Sequence, residues 1–156
     1  MNNDRRKVLK GTGGMAVMGL AVSAGLIKPG SAWAQTWNKA AFETKTMADT
    51  VKAMGGTAAA ESKEIAITSP DIAENGAVVP FTISSRIPKT ESIALLVEKN
   101  PNALAASFDI PAGTEAGVTT RVKMGQTSNV TALVKADGKF FYTTKEVKVT
   151  LGGCGG

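Results

Sequence analysis

The chain has 156 residues with 18 Lys and Arg, 13 Asp and Glu, one Cys and no His, which gives a formal net charge of +5. The absence of histidine excludes Ser-His-Asp and Cys-His nucleophiles and His-based zinc or copper sites, and one cysteine forms neither a thiolate cage nor an internal disulfide. Any unaided chemistry rests on carboxylates, lysines and one thiol, and we predict no catalytic residue, no metal and no cofactor.

The first 34 residues have the pattern of a cleaved export signal. A basic head is followed by an apolar, glycine-dotted run over 11–27 and by the small-x-small site Ala32-Trp33-Ala34. The run is shorter than the roughly 18 residues of a membrane-spanning helix and contains Gly and Thr, which argues against a permanent anchor. We therefore expect residues 1–34 to be removed after export.

The basic head indicates one export route. Arg5 and Arg6 resemble the paired arginines of a twin-arginine signal, although Val8 stands where that signal more often has phenylalanine. Lys28, just before the cleavage site, fits the same route. The signal predicts a periplasmic protein with no membrane association after cleavage.

Removal of the signal changes the charge balance of the chain. Residues 35–156 contain 13 basic and 12 acidic side chains, so the basic excess belongs mostly to the signal. No stripe of Lys and Arg remains to contact a phosphate backbone, and we expect no nucleic-acid partner.

Residues 35–56 have the periodicity of an amphipathic helix. Apolar side chains recur at spacings of three and four, and Gly55-Gly56 follows as a stop signal. Such a helix packs against its own domain or faces a partner. The apolar positions are Trp37, Ala40, Ala41, Met47, Ala48, Val51 and Met54.

Residues 57–151 have the pattern of an all-β domain. Short β-branched runs alternate with turn signals such as Asn100-Pro101-Asn102 and Asp137-Gly138. A spacing near ten residues favours an immunoglobulin-like two-sheet sandwich, here without the usual disulfide. Seven strands are predicted, at 63–68, 77–86, 92–99, 103–110, 117–124, 128–135 and 139–151.

The last five residues, Gly152-Gly153-Cys154-Gly155-Gly156, follow the final predicted strand directly. Glycine removes steric restriction from the backbone, so we predict that 152–156 is a flexible swinging arm. Fully extended, residues 152–154 place the sulfur roughly 10 Å beyond the strand. A catalytic thiol needs a fixed base and oxyanion donors, whereas a carrier thiol needs freedom to move. We therefore predict that Cys154 is an attachment point for a substrate.

Two features allow other interpretations. One alternative to the carrier interpretation is that the tail is an incidental extension with a cysteine of no importance. Another is that the domain is an immunoglobulin-like binding module that dimerises through an intermolecular disulfide. Three basic residues also have two interpretations. They form a docking surface for an anionic substrate or partner, or they are ordinary solvent-facing strand positions. These residues are Arg86, Arg121 and Lys123.

Four segments of the chain resemble the SoxY family of bacterial thiosulfate oxidation. The specific one is 149–156, which ends in the Gly-Gly-Cys-Gly-Gly motif around Cys154. Segments 97–101 (VEKNP), 120–124 (TRVKM) and 127–128 (TS) support it. The resemblance implies that Cys154 carries sulfur intermediates covalently and that the chain is a carrier, not an enzyme.

The resemblance also implies partners. It implies a heterodimer with a SoxZ-like subunit, exported together with this chain, and transient docking to three enzymes. These are a haem enzyme that joins thiosulfate to the thiol, a manganese-dependent hydrolase that releases sulfate, and a sulfane dehydrogenase. A carrier in a truncated, sulfur-storing pathway is the alternative that the resemblance leaves open.

Overall fold

The computed structural model describes residues 38–150 of the chain. The predicted signal at 1–34 and the predicted arm at 152–156 lie outside the described residues. Within 38–150 no helix has the length and hydropathy needed to cross a membrane.

The segment predicted as one helix over 35–56 contains two short helices in its described part. Helix α1 spans Lys39–Phe42 and helix α2 spans Met47–Ala53. Residues 43–46 separate them, so the three-and-four spacing of apolar residues is correct but the continuity of the helix is not.

The interruption arises from threonine side chains that compete with the helix backbone. Thr46 is extended, with φ −129° and ψ 155°, and its hydroxyl accepts a hydrogen bond from the Asp49 N–H at 3.1 Å, which starts α2 anew. The hydroxyl of Thr44 donates to the Ala41 carbonyl at 2.7 Å and lies 2.6 Å from the buried hydroxyl of Thr50. The backbone N–H groups of Glu43 and Thr44 still donate to carbonyls of α1, and the helical ladder resumes only where the Thr50 N–H donates to the Thr46 carbonyl.

Within residues 38–150 nine strands form two sheets, and all seven predicted strands are among them. The two that the sequence did not predict are β1 and β3, which have three and two residues. The strands are β1 Ala59–Glu61, β2 Ile65–Thr68, β3 Ile72–Ala73, β4 Val79–Ser85, β5 Thr90–Val97, β6 Leu104–Asp109, β7 Gly117–Val122, β8 Ser128–Ala136 and β9 Lys139–Val149.

The larger sheet has the order β1-β9-β8-β5-β6, and the smaller has the order β2-β4-β7. Both short strands pair in parallel with β9, at opposite ends of it. Ala59 of β1 lies beside Phe140, and Ile72 of β3 lies beside Lys148. The predicted all-β, two-sheet sandwich with a small N-terminal helical part is confirmed.

The larger sheet is covered on both faces. One face packs against the smaller sheet around Phe81, Leu95 and Val134, and the other packs beneath the two helices. Strand β5 therefore buries successive side chains instead of alternate ones, which explains its continuous apolar run. The helix side of this core contains Ala41, Val51, Ala94, Leu96, Ala103, Leu104, Leu133 and Phe140.

We expect the substitution Phe140→Ala to destabilise the domain by about 3–5 kcal/mol, because it removes a large buried side chain from beneath the helices. Phe140 is 3% exposed and belongs to the cluster that holds Val51 of α2. Urea unfolding followed by circular dichroism measures the change. The exposed neighbour Lys139 offers the control Lys139→Ala, and a loss below about 1 kcal/mol for Phe140→Ala would contradict this packing.

Candidate functional site

The C-terminal end of β9 is the place from which the chain continues toward Cys154. Hydrogen bonds fix the backbone up to the last described residue. The Lys148 N–H donates to the Asp71 carbonyl at 2.9 Å, and the Thr150 N–H donates to the Ala73 carbonyl at 3.1 Å. We call this position, centred on Thr150, the arm root.

A side chain continues the sheet on the other side of β9. Strand β8 begins at Ser128, which lies beside Val147, so no β8 backbone is left to pair with Val149. The hydroxyl of Thr127 accepts the Val149 N–H at 3.0 Å in its place. Successive N–H groups at 148, 149 and 150 are thus all satisfied, and the arm root is held from both sides.

Three loops meet at the same end of the sandwich as the arm root. Strands β4 and β8 begin here and β5 and β7 end here, as the pairs Val79 with Val122 and Val97 with Val130 show. The loops are 74–78, 98–103 and 123–127.

Asn100 joins two of these loops. Its side-chain amide donates to the Lys123 carbonyl at 2.8 Å, and its side-chain oxygen accepts the Gly125 N–H at 3.4 Å. The neighbouring Lys99 N–H donates to the buried hydroxyl of Ser128 at 3.0 Å. The hydrogen bonds therefore bring together, at the arm root, the three segments that supported the family resemblance. These are 97–101, 120–124 and 127–128.

Gly76 brings the third loop against β9. Its carbonyl accepts the Met124 N–H at 2.7 Å. A Cβ at this position would lie 2.5 Å from the Met124 carbonyl oxygen and 2.8 Å from Cγ1 of Val149. Only glycine permits this approach, a requirement that the sequence showed merely as part of an Asn-Gly turn signal.

A short ion pair ties the chain before β3 to β9. The Lys145 ammonium lies 2.9 Å from Asp71 Oδ1 and donates to the Ser69 carbonyl at 2.7 Å. The hydrogen bond and charge of Lys145 hold the pKa of the Asp71 carboxyl below its usual value. Asp71 therefore remains ionised and paired at neutral pH.

The predicted attachment residue Cys154 and the predicted arm residues Gly152, Gly153, Gly155 and Gly156 lie outside the described residues. Covalent geometry limits the distance from Thr150 to Cys154 to about 14 Å between Cα atoms, since the chain takes four Cα-to-Cα steps between them. The arm root therefore defines the region in which the thiol can act.

The three basic residues considered as one docking surface are not brought together. Arg86 lines a cleft of about 580 Å³ at the end of the sandwich opposite to the arm root, where β4 ends and β7 begins. Arg121 and Lys123 belong to the arm-root end, and both are exposed. Within residues 38–150 no group of three or more His, Cys, Asp and Glu side chains is arranged to hold a metal ion.

Comparison with known proteins yields a family and a related structure. The family model described as sulfur oxidation protein SoxY matches residues 50–154, a range that includes Cys154. The solved structure of the sulfur carrier protein SoxY from Chlorobium limicola f thiosulfatophilum is 38% identical, with a TM-score of 0.60, over 66% of this chain and 94% of that chain. The comparison with curated proteins finds no match.

A second solved structure is more distant. It is a superoxide reductase (neelaredoxin) from Ignicoccus hospitalis, which is 18% identical with a TM-score of 0.48. The match covers 55% of this chain and 79% of that chain. At this level of similarity it carries no functional argument.

We expect Gly76→Ala to destabilise the domain by about 1–3 kcal/mol, because the new methyl group meets backbone at the arm root. Chemical unfolding measures the loss, and hydrogen exchange at the Lys148 and Thr150 amides localises it. Gly125→Ala is the matched control, since a Cβ there has no atom within 4 Å. Equal stability of the two variants would show that the 74–78 loop is not held against β9.

Proposed function

The chain belongs to the SoxY family of sulfur oxidation proteins, and we propose that it carries sulfur intermediates covalently on Cys154 during thiosulfate oxidation. The observation that supports this most directly is the family match, which runs through the described sandwich and ends at Cys154. This family is the one that the terminal motif predicted. The related Chlorobium structure is that of a sulfur carrier protein.

The proposed loading step forms a bond between Cys154 Sγ and the outer sulfur of thiosulfate. The thiol loses its proton, thiosulfate supplies the second sulfur, and two electrons pass to a haem-containing partner. The product is Cys–S–S–SO₃⁻. The chain supplies the nucleophilic sulfur and the partner supplies the oxidant.

The proposed release step is a hydrolysis. Water attacks the terminal sulfonate sulfur, and the bond between that sulfur and the middle sulfur breaks. Sulfate is released, and the two protons of the water pass to the solvent. Cys–S–S⁻ remains for a sulfane dehydrogenase or, in a truncated pathway, for storage. Water activation falls to the manganese-dependent partner, because the chain has no histidine and the Asp71 carboxylate near the arm root is paired with Lys145.

In this proposal the chain supplies only the thiol and partner enzymes supply the catalytic groups, which agrees with the geometry of the arm root. A thiol that visits several enzymes needs a fixed point of attachment and free motion beyond it. Hydrogen bonds to Asp71, Ala73 and Thr127 provide the fixed point. The four glycines around Cys154 provide the freedom that we propose for the arm.

Membership of the SoxY family implies a SoxYZ complex, and we propose that this chain forms the heterodimer with a SoxZ-like subunit. A domain of about 120 residues has a modest core, and a permanent partner adds to its buried surface. Docking to the three enzymes is then transient and passes the adduct from one to the next.

We expect Cys154→Ser to abolish thiosulfate-dependent turnover in a reconstituted system while leaving thermal unfolding and heterodimer formation unchanged. The hydroxyl cannot form the disulfide-type bond that holds the adduct. Turnover at the wild-type rate would refute the carrier role. Intact mass of the wild type after exposure to thiosulfate distinguishes a sulfur-bearing monomer from a bare disulfide dimer, which is the result expected of a plain binding module.

We also propose that residues 1–34 direct export to the periplasm by the twin-arginine route. We expect the double substitution Arg5→Lys, Arg6→Lys to leave unprocessed precursor in the cytoplasm, because that route recognises the arginine pair and not its charge. Cell fractionation and the N-terminal sequence, expected to begin at Gln35, are the measurements. Lys7→Arg is the control, and normal export of the double variant would exclude this route.

A further inference from the structure

Two apolar side chains near the arm root are unusually exposed. Ile72 is 57% exposed and Val78 is 51% exposed, and they are the exposed large hydrophobic residues among residues 38–150. Both lie in the segment 71–78, which contains β3 and the loop to β4. Single exposed hydrophobic residues are common, but here both belong to one short segment beside the functional end of the domain.

The segment 71–78 is held in place by the residues that fix the arm root. Ile72 is the strand partner of Lys148, and Gly76 is packed against Val149. Within the loop the Asn75 side-chain oxygen accepts the Ala77 N–H at 2.9 Å, and the Asn75 carbonyl accepts the Val78 N–H at 3.3 Å. The two apolar side chains are thus presented by an ordered backbone, which lowers the entropy cost of binding them.

The length of the chain beyond Thr150 determines what can approach this segment. Cys154 lies within about 14 Å of Thr150. An enzyme that surrounds the adduct in a water-excluding site must therefore bring its own surface close to the arm root. Ile72 is beside Lys148, two residues from Thr150, so this surface reaches the segment 71–78.

We propose that Ile72 and Val78 form an apolar contact for the rim of the active-site entrance in the enzymes that process the Cys154 adduct. This inference rests on the carrier function proposed above and names the surface that serves it. The matching partner surface is an apolar lip beside a channel that admits the arm. Burial of Ile72 and Val78 by that lip contributes binding energy remote from the reacting sulfur.

The test compares a double variant, Ile72→Thr with Val78→Thr, with the wild-type heterodimer. Threonine keeps the β-branched shape and removes apolar surface, so the fold is preserved. We expect KM for the loaded carrier, measured with the purified sulfate-releasing hydrolase, to rise on the order of tenfold, which corresponds to about 1.4 kcal/mol. The kcat at saturating carrier should stay unchanged, because the arm and the adduct are the same.

Three further measurements make the outcome specific. Glu74→Gln, an exposed change in the same segment, is the matched control and should leave KM unchanged. Thermal unfolding and the rate of Cys154 labelling by a small thiol reagent should not change in the double variant. A synthetic peptide of residues 150–156 that bears the adduct lacks Ile72 and Val78. Its KM should therefore lie well above that of the intact wild-type carrier.

Two results would overturn the proposal. An unchanged KM for the double variant would show that the enzyme does not contact Ile72 and Val78. Loss of heterodimer formation, measured by analytical ultracentrifugation, would show that the SoxZ-like subunit covers them instead. Failure of the carrier function itself would be seen separately, as absence of any sulfate release from the wild type.

Discussion

The backbone ladder along β9 is the interaction on which the rest of this structure depends. This strand of eleven residues pairs with β8 along nearly its whole length, with β1 near its start and with β3 at its end. Each pairing satisfies N–H and carbonyl groups that would otherwise be left open at a sheet edge. Because β9 leads directly to the C-terminal segment, the same ladder that completes the larger sheet also determines where that segment leaves the domain.

The end of the sandwich around Thr150 is built from side chains that take over where the strands stop. Thr127 replaces β8 beside Val149, Asn100 joins the 98–103 and 123–127 loops, and Gly76 allows the 74–78 loop to approach β9. Their common effect is to fix the backbone around Thr150, which suits the swinging arm that we propose for residues 152–156.

The chemistry proposed for this chain requires very little from the domain itself. A thiol that several enzymes modify in turn must not be committed to one base or one oxyanion site, and the absence of histidine is consistent with that demand. The remaining task is recognition. In the proposed cycle the enzymes that receive the thiol have to identify the carrier, and we propose that they do so at the surface near the arm root.

The sequence by itself determined the all-β class and the seven longer strands, and its terminal motif predicted the SoxY family. Alternating apolar residues and turn signals are local, and the terminal glycine-rich motif is recognisable in the sequence without knowledge of the fold. The sequence did not reveal β1 and β3, the break between α1 and α2, or the role of Gly76. Strands of two or three residues have no measurable period, and their conformation comes from pairing with β9.

The tertiary structure alone decided which residues share a neighbourhood. It places segments 97–101, 120–124 and 127–128 around Thr150, and it separates Arg86 from Arg121 and Lys123 by the length of the sandwich. It also shows that Ile72 and Val78 are exposed, although both read as ordinary apolar positions. Exposure and proximity depend on how distant strands pair, and that information is not contained in any single stretch of sequence.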